Sequence, residues 1–285
     1  MEKALVLAAL AASVVGLENG LGRVPQMGWN TWNKFGCDIS EDLIKGSVDT
    51  IMGLGLDKIG YKYVNLDDCW HLLERTEDGH MIPDPERFPN GMKPLGDYIH
   101  ANGLHFGIYS CAGTMTCAHR AGSLYHEDID AQDFADWGVD YLKYDNCFND
   151  SISGMTRYPI MRDALLATGR PIFYSLCQWG EENVWQWGPE TANSWRTTQD
   201  IFDGWPSIEY NFRENQKHFE RAGPGGWNDP DMLEVGNGGL TLDEEKTHFA
   251  MWALAKAPLI MGCDLTTVSK DSLDILTNVD LIAVN

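Results

Sequence analysis

Short apolar runs alternate with amphipathic segments along this chain, and the alternation predicts the order of its strands and helices. After Ser40, Ile44 and Val48 stand at helical spacing, and Thr241 with Glu244 forms a capping-box pattern before a second long helix. The apolar runs have the β-branched and aromatic composition of strands. Eight strands are predicted, in the runs PQMGWNTW, YKYVNLDD, HFGIYSC, VDYLKYDNC, PIFYSLCQW, SWRTTQD, GGWNDPDML and PLIMGCDL.

A strand followed by a helix, repeated eight times over about 250 residues, has the length and rhythm of a (β/α)8 TIM barrel of the α/β class. The 285 residues are 44% hydrophobic, which is enough for one large core. An open, doubly wound parallel sheet is the alternative. The barrel is favoured because no glycine-rich dinucleotide fingerprint follows the first strand.

The N-terminal segment has the features of a secretory signal peptide. Lys3 precedes the apolar run ALVLAALAASVVG, which ends in small residues and is too short to span a bilayer. We therefore expect residues 1–16 to be a signal and residues 17–285 to form the barrel domain of a soluble, secreted protein. The alternative is an ordinary buried N-terminal strand or helix.

The chain is strongly acidic, with a formal net charge of −21. Such a field repels nucleic acid and anionic membrane surfaces, so we expect neither as a partner and a neutral ligand instead. Seven cysteines in an exported chain indicate some disulfides and at least one free thiol, but their number alone does not pair them. The oligomeric state stays open.

Polar and aromatic side chains fall at the ends of six predicted strands. In a barrel, the carboxyl ends of the strands and the loops after them build the active site, whereas charges within buried strands are costly. A single strand-end aspartate often caps the next helix, but six coincident strand ends favour a site. These residues are Trp29, Trp32, Asp67, Asp68, Lys143, Asp145, Cys177, Gln178, Trp179, Arg196, Asp200, Asp229, Asp231 and Met232.

This mixture of carboxylates, cations and indoles suits a sugar pocket, with Trp32 and Trp179 as candidate aromatic walls. Cleavage of a glycoside requires two carboxyl groups, one ionised and one able to carry a proton. Lys143 precedes Asp145 by two residues on the same strand face, so it would favour the ionised form and suit that aspartate to act as nucleophile. Asp200 then becomes the acid.

Several ordered blocks of the sequence resemble the α-galactosidase (melibiase) family, glycoside hydrolase family 27. The match runs from about Leu21 to Asn285. It implies a retaining exo-α-galactosidase on a (β/α)8 barrel, which releases terminal α-linked galactose through a covalent galactosyl-aspartate, with no cofactor and no metal. The blocks are MGWNTWNKFGCDIS, YKYVNLDDCW, DPERFPNGM, GIYS, GSLYHEDIDAQDFADWGVDYLKYDNC, SWRTTQD and GPGGWNDPDML.

The resemblance also implies roles for individual residues. By their positions in LKYDNC and WRTTQD, Asp145 matches the family's nucleophile and Asp200 its acid/base. Retention would require these two carboxyl groups to lie about 5 to 5.5 Å apart. The implied substrate-binding residues are Trp32 as a stacking platform, Asp67 and Asp68 for the 4-OH and 6-OH, Lys143 for a hydroxyl, Arg196 near the 2-OH, and Cys177, Asp231 and Met232 as further pocket positions.

Specificity at carbon 2 and the cysteine pairing are implied in the same way. Trp179 is bulky where N-acetylgalactosaminidases of the family carry small residues, so the galactose type is expected. Gln178 departs from the glutamate of many relatives, which puts any charge-dependent role of that position in doubt. The implied disulfides are Cys37 with Cys69 and Cys117 with Cys147.

Members of the family normally continue after LIAVN into a C-terminal antiparallel β domain, and this sequence stops there. We therefore expect a catalytic barrel without that domain, either a fragment or a truncated gene product.

Three alternatives remain beside this interpretation. A non-catalytic galactose-binding barrel would need neither Asp145 nor Asp200. An α-N-acetylgalactosaminidase would use the same carboxylates on a different sugar. A metal-dependent hydrolase or lyase is disfavoured because two adjacent strand aspartates point to opposite sides and no histidine-rich set accompanies them. That alternative would use Asp67, Asp68, Asp229 and Asp231.

Overall fold

The structure, a computed structural model, describes residues 16–285. Eight parallel strands form one sheet, in which the first seven pair in the order of the chain and the eighth pairs with the first. The predicted barrel is thereby confirmed, whereas the predicted signal lies outside the described residues except for Gly16. The ten strands are β1 (Met27–Asn30), β2 (Tyr63–Asn65), β3 (His71–Arg75), β4 (Met81–Pro83), β5 (His105–Cys111), β6 (Tyr141–Asp145), β7 (Phe173–Cys177), β8 (Ser194–Arg196), β9 (Trp227–Asp229) and β10 (Leu259–Met261).

The barrel closes just beyond the end of β9. Leu233 donates its backbone N–H to the carbonyl of Ile260 at 2.8 Å and accepts from the N–H of Gly262 at 3.0 Å. This bridge joins the segment after β9 to β10, which itself pairs in register with β1. The residues that follow β9 therefore lie beside those that follow β1, a neighbourhood that sequence separation hides.

Helices surround the sheet and bury their apolar faces against it. The predicted helix caps are confirmed: Ser40 accepts from the N–H of Leu43, and Thr241 forms a capping box with Glu244. No helix of residues 16–285 is long and apolar enough to cross a membrane. The helices are α1 (Trp32–Phe35), α2 (Glu41–Gly53), α3 (Met92–Ala101), α4 (Glu127–Trp137), α5 (Gly154–Ala167), α6 (Val184–Thr191), α7 (Trp205–Gln216), α8 (Leu242–Leu254), α9 (Lys270–Leu276) and α10 (Val279–Val284).

The barrel interior is layered from an apolar floor to a polar rim. Near the start of their strands, the rings of Tyr63, Tyr141 and Phe173 contact one another, with centroids 5.0 to 5.9 Å apart. Because side chains alternate along a strand, the next inward residues stand one layer higher and the last ones reach the carboxyl rim. On β6 this sequence is Tyr141, Lys143 and Asp145, so the charges lie in the upper two layers, above the aromatic floor.

A two-stranded hairpin, β3 with β4, stands outside the barrel between β2 and α3 and was not predicted. Its strands lack a clear alternation of apolar and polar residues. The sequence nevertheless carries a turn signal in Asp78 and Gly79. In the structure, Gly79 has a φ of 92° and donates its backbone N–H to the carbonyl of Thr76 at the tip.

Candidate active site

A cavity of about 450 Å³ opens at the carboxyl rim of the barrel. It collects side chains from the ends of β1, β2, β5, β6, β8 and β9 and from the loops after them. The residues that line it are Trp32, Asn33, Lys34, Asp67, Asp68, Tyr109, Cys117, Lys143, Asp145, Arg196, Asp200, Ile201, Phe202, Asp203, Asp231, Met232, Glu234 and Asn237.

Asp145 ends β6 at the base of this cavity and is buried. One carboxylate oxygen accepts from the hydroxyl of Tyr109 at 2.9 Å, and the other accepts from the backbone N–H of Asn146 at 2.8 Å. Burial raises the pKa of Asp145 to about 6, and the charge of Asp200 adds to the rise, while Lys143 and the two hydrogen bonds oppose it. The carboxylate is therefore fixed in orientation and titrates within the neutral to mildly acidic range.

Lys143 forms its ion pair with Asp67, not with Asp145. Its ammonium group lies 2.8 Å from a carboxylate oxygen of Asp67, which also accepts from the side-chain amide of Asn30 at 2.8 Å. Burial alone would lower the pKa of Lys143, but the surrounding carboxylates, Asp67 first, hold it well above the ordinary value. The expected influence of Lys143 on Asp145 has the predicted sign, but burial of the aspartate outweighs it.

Asp68 is held by the loop after β5. One of its oxygens accepts from the Thr116 hydroxyl at 2.9 Å, and the other accepts from the N–H of Ala118 at 2.8 Å. Burial raises the pKa of Asp68, and these hydrogen bonds oppose the rise. The two adjacent aspartates thus have different partners, since Asp67 pairs with Lys143 of β6 and Asp68 anchors a loop.

Both disulfides implied by the resemblance are present and brace this rim. Cys37 pairs with Cys69, directly after Asp68, and Cys117 pairs with Cys147, two residues after Asp145. Each bond therefore ties a loop to the segment that carries a cavity carboxylate. The free cysteines among the described residues, Cys111, Cys177 and Cys263, are all buried.

Arg196 links two further carboxylates of the cavity, those of Asp200 and Asp231. Its guanidinium group, itself buried, lies 3.0 Å from Asp231 and 3.1 Å from Asp200. The Asp231 carboxylate also accepts from the backbone N–H of Ile201, next to Asp200. The side chain of Asp200 remains 73% exposed and reaches solvent through the cavity, in contrast to the buried Asp145.

The structure places most, but not all, of the predicted site residues around this cavity. Among the described residues, Trp179 does not line it, because the chain turns after β7 through the left-handed residues Trp179 and Gly180, with φ of 65° and 77°. Cys177, which is in register with Asp145, lines a separate cavity of about 30 Å³ that Lys143 also lines, and it is not among the residues that line the main pocket. Trp29 packs outside the barrel interior and donates its indole N–H to the carbonyl of Cys263.

Sequence reasoning missed several residues of the wall. Tyr109 lies within the block GIYS that carries the resemblance. It faces the barrel interior because it is in register with Lys143. Glu234 follows the quoted block GPGGWNDPDML by one residue. The other missed residues were Asn33, Lys34, Ile201, Phe202, Asp203 and Asn237.

Comparison with known proteins identifies the family of this chain. The family model described as Melibiase_2, Alpha galactosidase A, matches residues 24–285. "Alpha-galactosidase 3" of Arabidopsis thaliana is 56% identical over 269 residues, which are 94% of this chain and 62% of that protein. The chain therefore spans less than two thirds of the length of this relative.

Solved structures show the same similarity. An α-galactosidase from Saccharomyces cerevisiae superposes with a TM-score of 0.92 at 45% identity, covering 94% of this chain and 65% of the other. A structure of α-galactosidase from the same yeast with raffinose gives a TM-score of 0.89 at 44% identity, over 93% of this chain and 65% of that one. This chain therefore belongs to the α-galactosidase family, glycoside hydrolase family 27.

Proposed function

We propose that this chain carries the catalytic barrel of a retaining exo-α-galactosidase, which hydrolyses terminal α-linked galactose by double displacement. The observation that carries the proposal is the pair Asp145 and Asp200 on the walls of one cavity, surrounded by hydroxyl-binding groups. A relative solved with raffinose, which covers 93% of this chain, supports a galactoside as the substrate class.

In the first step, the carboxylate of Asp145 attacks the anomeric carbon while Asp200 gives its proton to the departing glycosidic oxygen. The bonds from Tyr109 and the Asn146 N–H hold the attacking carboxylate in place. Esterification of Asp145 then removes one negative charge from the cavity. In the second step Asp200, deprotonated by the first, takes a proton from the water that attacks the anomeric carbon and releases galactose from Asp145.

Hydroxyl recognition is assigned to the polar groups around the two carboxyls. The Lys143–Asp67 pair offers both a donor and an acceptor at the cavity base, and Asp68 offers a further acceptor. Trp32 provides the apolar wall for one face of the sugar ring. Arg196 lies beside Asp200, where it can donate to a hydroxyl near the reacting carbon.

The proposal is tested by replacing the nucleophile. Asp145→Asn should abolish release of nitrophenol from p-nitrophenyl α-galactoside while galactose binding stays measurable by calorimetry. Asp136→Asn, a matched change on the exposed face of α4, should leave turnover at the parent value. Proton NMR of the parent reaction should show α-galactose as the first product anomer. Unchanged turnover by Asp145→Asn, or β-galactose appearing first, would refute the assignment.

Rates on two substrates distinguish an α-galactosidase from an α-N-acetylgalactosaminidase. The parent should cleave p-nitrophenyl α-galactoside at least about tenfold faster, in kcat/KM, than the corresponding α-N-acetylgalactosaminide, the size of one lost or misplaced polar contact. A preference for the N-acetyl sugar would move the proposal to the second enzyme class and leave the roles of Asp145 and Asp200 unchanged.

We also propose that the protein is secreted. Two disulfides stabilise the rim of the barrel, and such bonds persist in oxidising compartments. The signal predicted in residues 1–16 fits the same destination. N-terminal sequencing of the exported protein should begin at Leu17, and an intact Met1 on it would refute the signal.

A further inference from the structure

We propose that Glu234 is a positioning residue of the galactoside site, which clamps the short helix α1 to the loop after β9 and thereby fixes the wall that Trp32 provides. The inference rests on the proposed function, because the wall matters only if a sugar binds there. Glu234 lines the cavity, yet its side chain is almost wholly enclosed, with 2% of the residue exposed.

The clamp consists of two hydrogen bonds to one carboxylate. One oxygen of Glu234 accepts from the side-chain amide of Asn33, the residue directly after Trp32. The other oxygen accepts from the side-chain amide of Asn237 at 2.6 Å. Glu234 itself stands two residues after Met232 and three after Asp231, so one carboxylate joins both parts of the wall.

The loop side of the clamp is held firmly from outside the barrel. On α8, the ring nitrogen Nε2 of His248 accepts from the backbone N–H of Glu234 at 3.0 Å, and the indole of Trp252 donates to the carbonyl of Asp231 at 2.8 Å. Both rings are fully buried. The intervening residue Leu233 forms the bridge that closes the barrel.

The helix side is tethered just after its end by the Cys37–Cys69 disulfide but has little burial of its own. None of the four described residues of α1 is fully buried, and a helix of this length is not stable by itself. It approaches the closing strand closely: a Cβ added to Gly262 would lie 3.0 Å from the Cβ of Asn33. The orientation of Trp32 therefore depends on the bond from its neighbour Asn33 to Glu234 and on the bond from its own backbone N–H to the side-chain oxygen of Asn30 at 2.8 Å.

A buried carboxylate is a costly way to make this connection, which argues that its two acceptor oxygens are needed. Burial raises the pKa of Glu234 to about 7, and the nearby Asp231 and Asp203 add to the rise. The amides of Asn237 and Asn33 oppose it. A neutral side chain of the same shape would avoid the cost of burial but offers only one acceptor to two donors.

The test is a reciprocal exchange of donor and acceptor. At pH 8, above the pKa of Glu234, both of its oxygens accept, whereas in Glu234→Gln the new amide faces a donor. KM for p-nitrophenyl α-galactoside should therefore rise about tenfold, the effect of one lost buried hydrogen bond, while kcat changes less than about threefold. Asn33→Asp should also raise KM, because it places two carboxylates together. In the double variant, the introduced amide can donate to the introduced carboxylate, and KM should return to within about threefold of the parent.

Glu245→Gln is the matched control. Glu245 is also a buried glutamate that holds this loop, since it accepts from the N–H of Gly236 at 2.8 Å and from the hydroxyl of Ser272 at 2.8 Å. Its hydrogen bonds go to Gly236 and Ser272 and not to α1, and it is not among the residues that line the cavity. Its replacement should lower the melting temperature without changing KM.

A second measurement, the fluorine resonance of Trp32, tests the clamp independently of catalysis. In protein labelled with 5-fluorotryptophan, the Trp32 resonance, assigned with Trp32→Phe, should move in Glu234→Gln, return in the double variant and stay in place in Glu245→Gln. An unmoved resonance, or a double variant no better than either single one in KM, would overturn the clamp. If the parent neither binds galactose nor cleaves the galactoside, the proposed function fails, and the sugar-free fluorine spectra still decide the clamp.

Discussion

Lys143 and Asp145 are side by side inside the barrel but have separate hydrogen-bonding partners. The ammonium group pairs with Asp67 and lies 5.5 Å from the centre of the Tyr109 ring, whereas the Asp145 carboxylate bonds to the hydroxyl of that same tyrosine. The lysine therefore acts on Asp145 through its charge alone. That influence is measurable because the pKa of Asp145 is raised by burial to about 6, within the range of activity assays.

Replacement of Lys143 by methionine should move the acidic limb of the pH profile. For the parent, kcat/KM should rise with pH through about 6 as free Asp145 ionises. Without the positive charge, the pKa of Asp145 should increase further, so the limb should shift to higher pH by roughly one unit, together with a lower maximum. The surface variant Lys246→Met is the control and should reproduce the parent profile. A limb that stays at the parent pH in Lys143→Met would show that the lysine serves only the sugar.

At the scale of elements, α8 supports the active-site wall. It supplies the two buried rings that hold the backbone of the loop after β9, and it begins with the capping box of Thr241 and Glu244. The cap fixes where the helix starts and satisfies backbone N–H groups that would otherwise lack a partner. Stability of this element should therefore depend on Thr241 although the residue is exposed.

Thr241→Ala should lower the free energy of unfolding by about 1 kcal/mol, because the cap hydrogen bond is lost. Thr247→Ala in the same helix is the control. Within residues 16–285, the Thr247 hydroxyl bonds only to the carbonyl of Asp243, which is already within the helix, so this change should lie within about 0.5 kcal/mol of the parent. Urea titration followed by circular dichroism measures both, and equal losses would contradict the capping role.

Elements with a strong local pattern were predictable from the sequence, and contacts between distant segments were not. All eight barrel strands lie within the predicted runs, because these runs are rich in aromatic and aliphatic residues and are flanked by turn residues. The hairpin β3–β4 lacks such a pattern. Asp145 and Asp67 were found because strand ends meet at one rim, but the contact between Asn33 and Glu234 spans 201 residues and depends on how the barrel closes.

At the scale of the whole molecule, three buried carboxyl groups make stability depend on pH. Burial raises the pKa of Asp145 and Asp229 to about 6 and that of Glu234 to about 7. Because these values exceed those of the unfolded chain, the folded state holds the protons more tightly. Their contribution to stability is therefore fully present below about pH 4 and is lost as pH rises through 6 to 7.

Asp229→Asn isolates one of these contributions. Between pH 4 and pH 8 the stability of the variant should change relative to the parent by on the order of 2 kcal/mol in favour of the variant, because asparagine has no proton to lose. Asp243→Asn, at a position whose side chain is 94% exposed, should show no such trend. Thermal melts across this range provide the measurement, and parallel curves for parent and Asp229→Asn would refute the assignment.

The aromatic layer of Tyr63, Tyr141 and Phe173 has a consequence for the order of events in the proposed reaction. These rings close the lower end of the barrel. Substrate and products must therefore enter and leave through the rim cavity above the two carboxyl groups. The galactosyl unit enters first and lies deepest. The leaving group must then diffuse out before water can reach the anomeric carbon. Free galactose is then the last product to be released, and we expect it to compete with substrate for the same binding site.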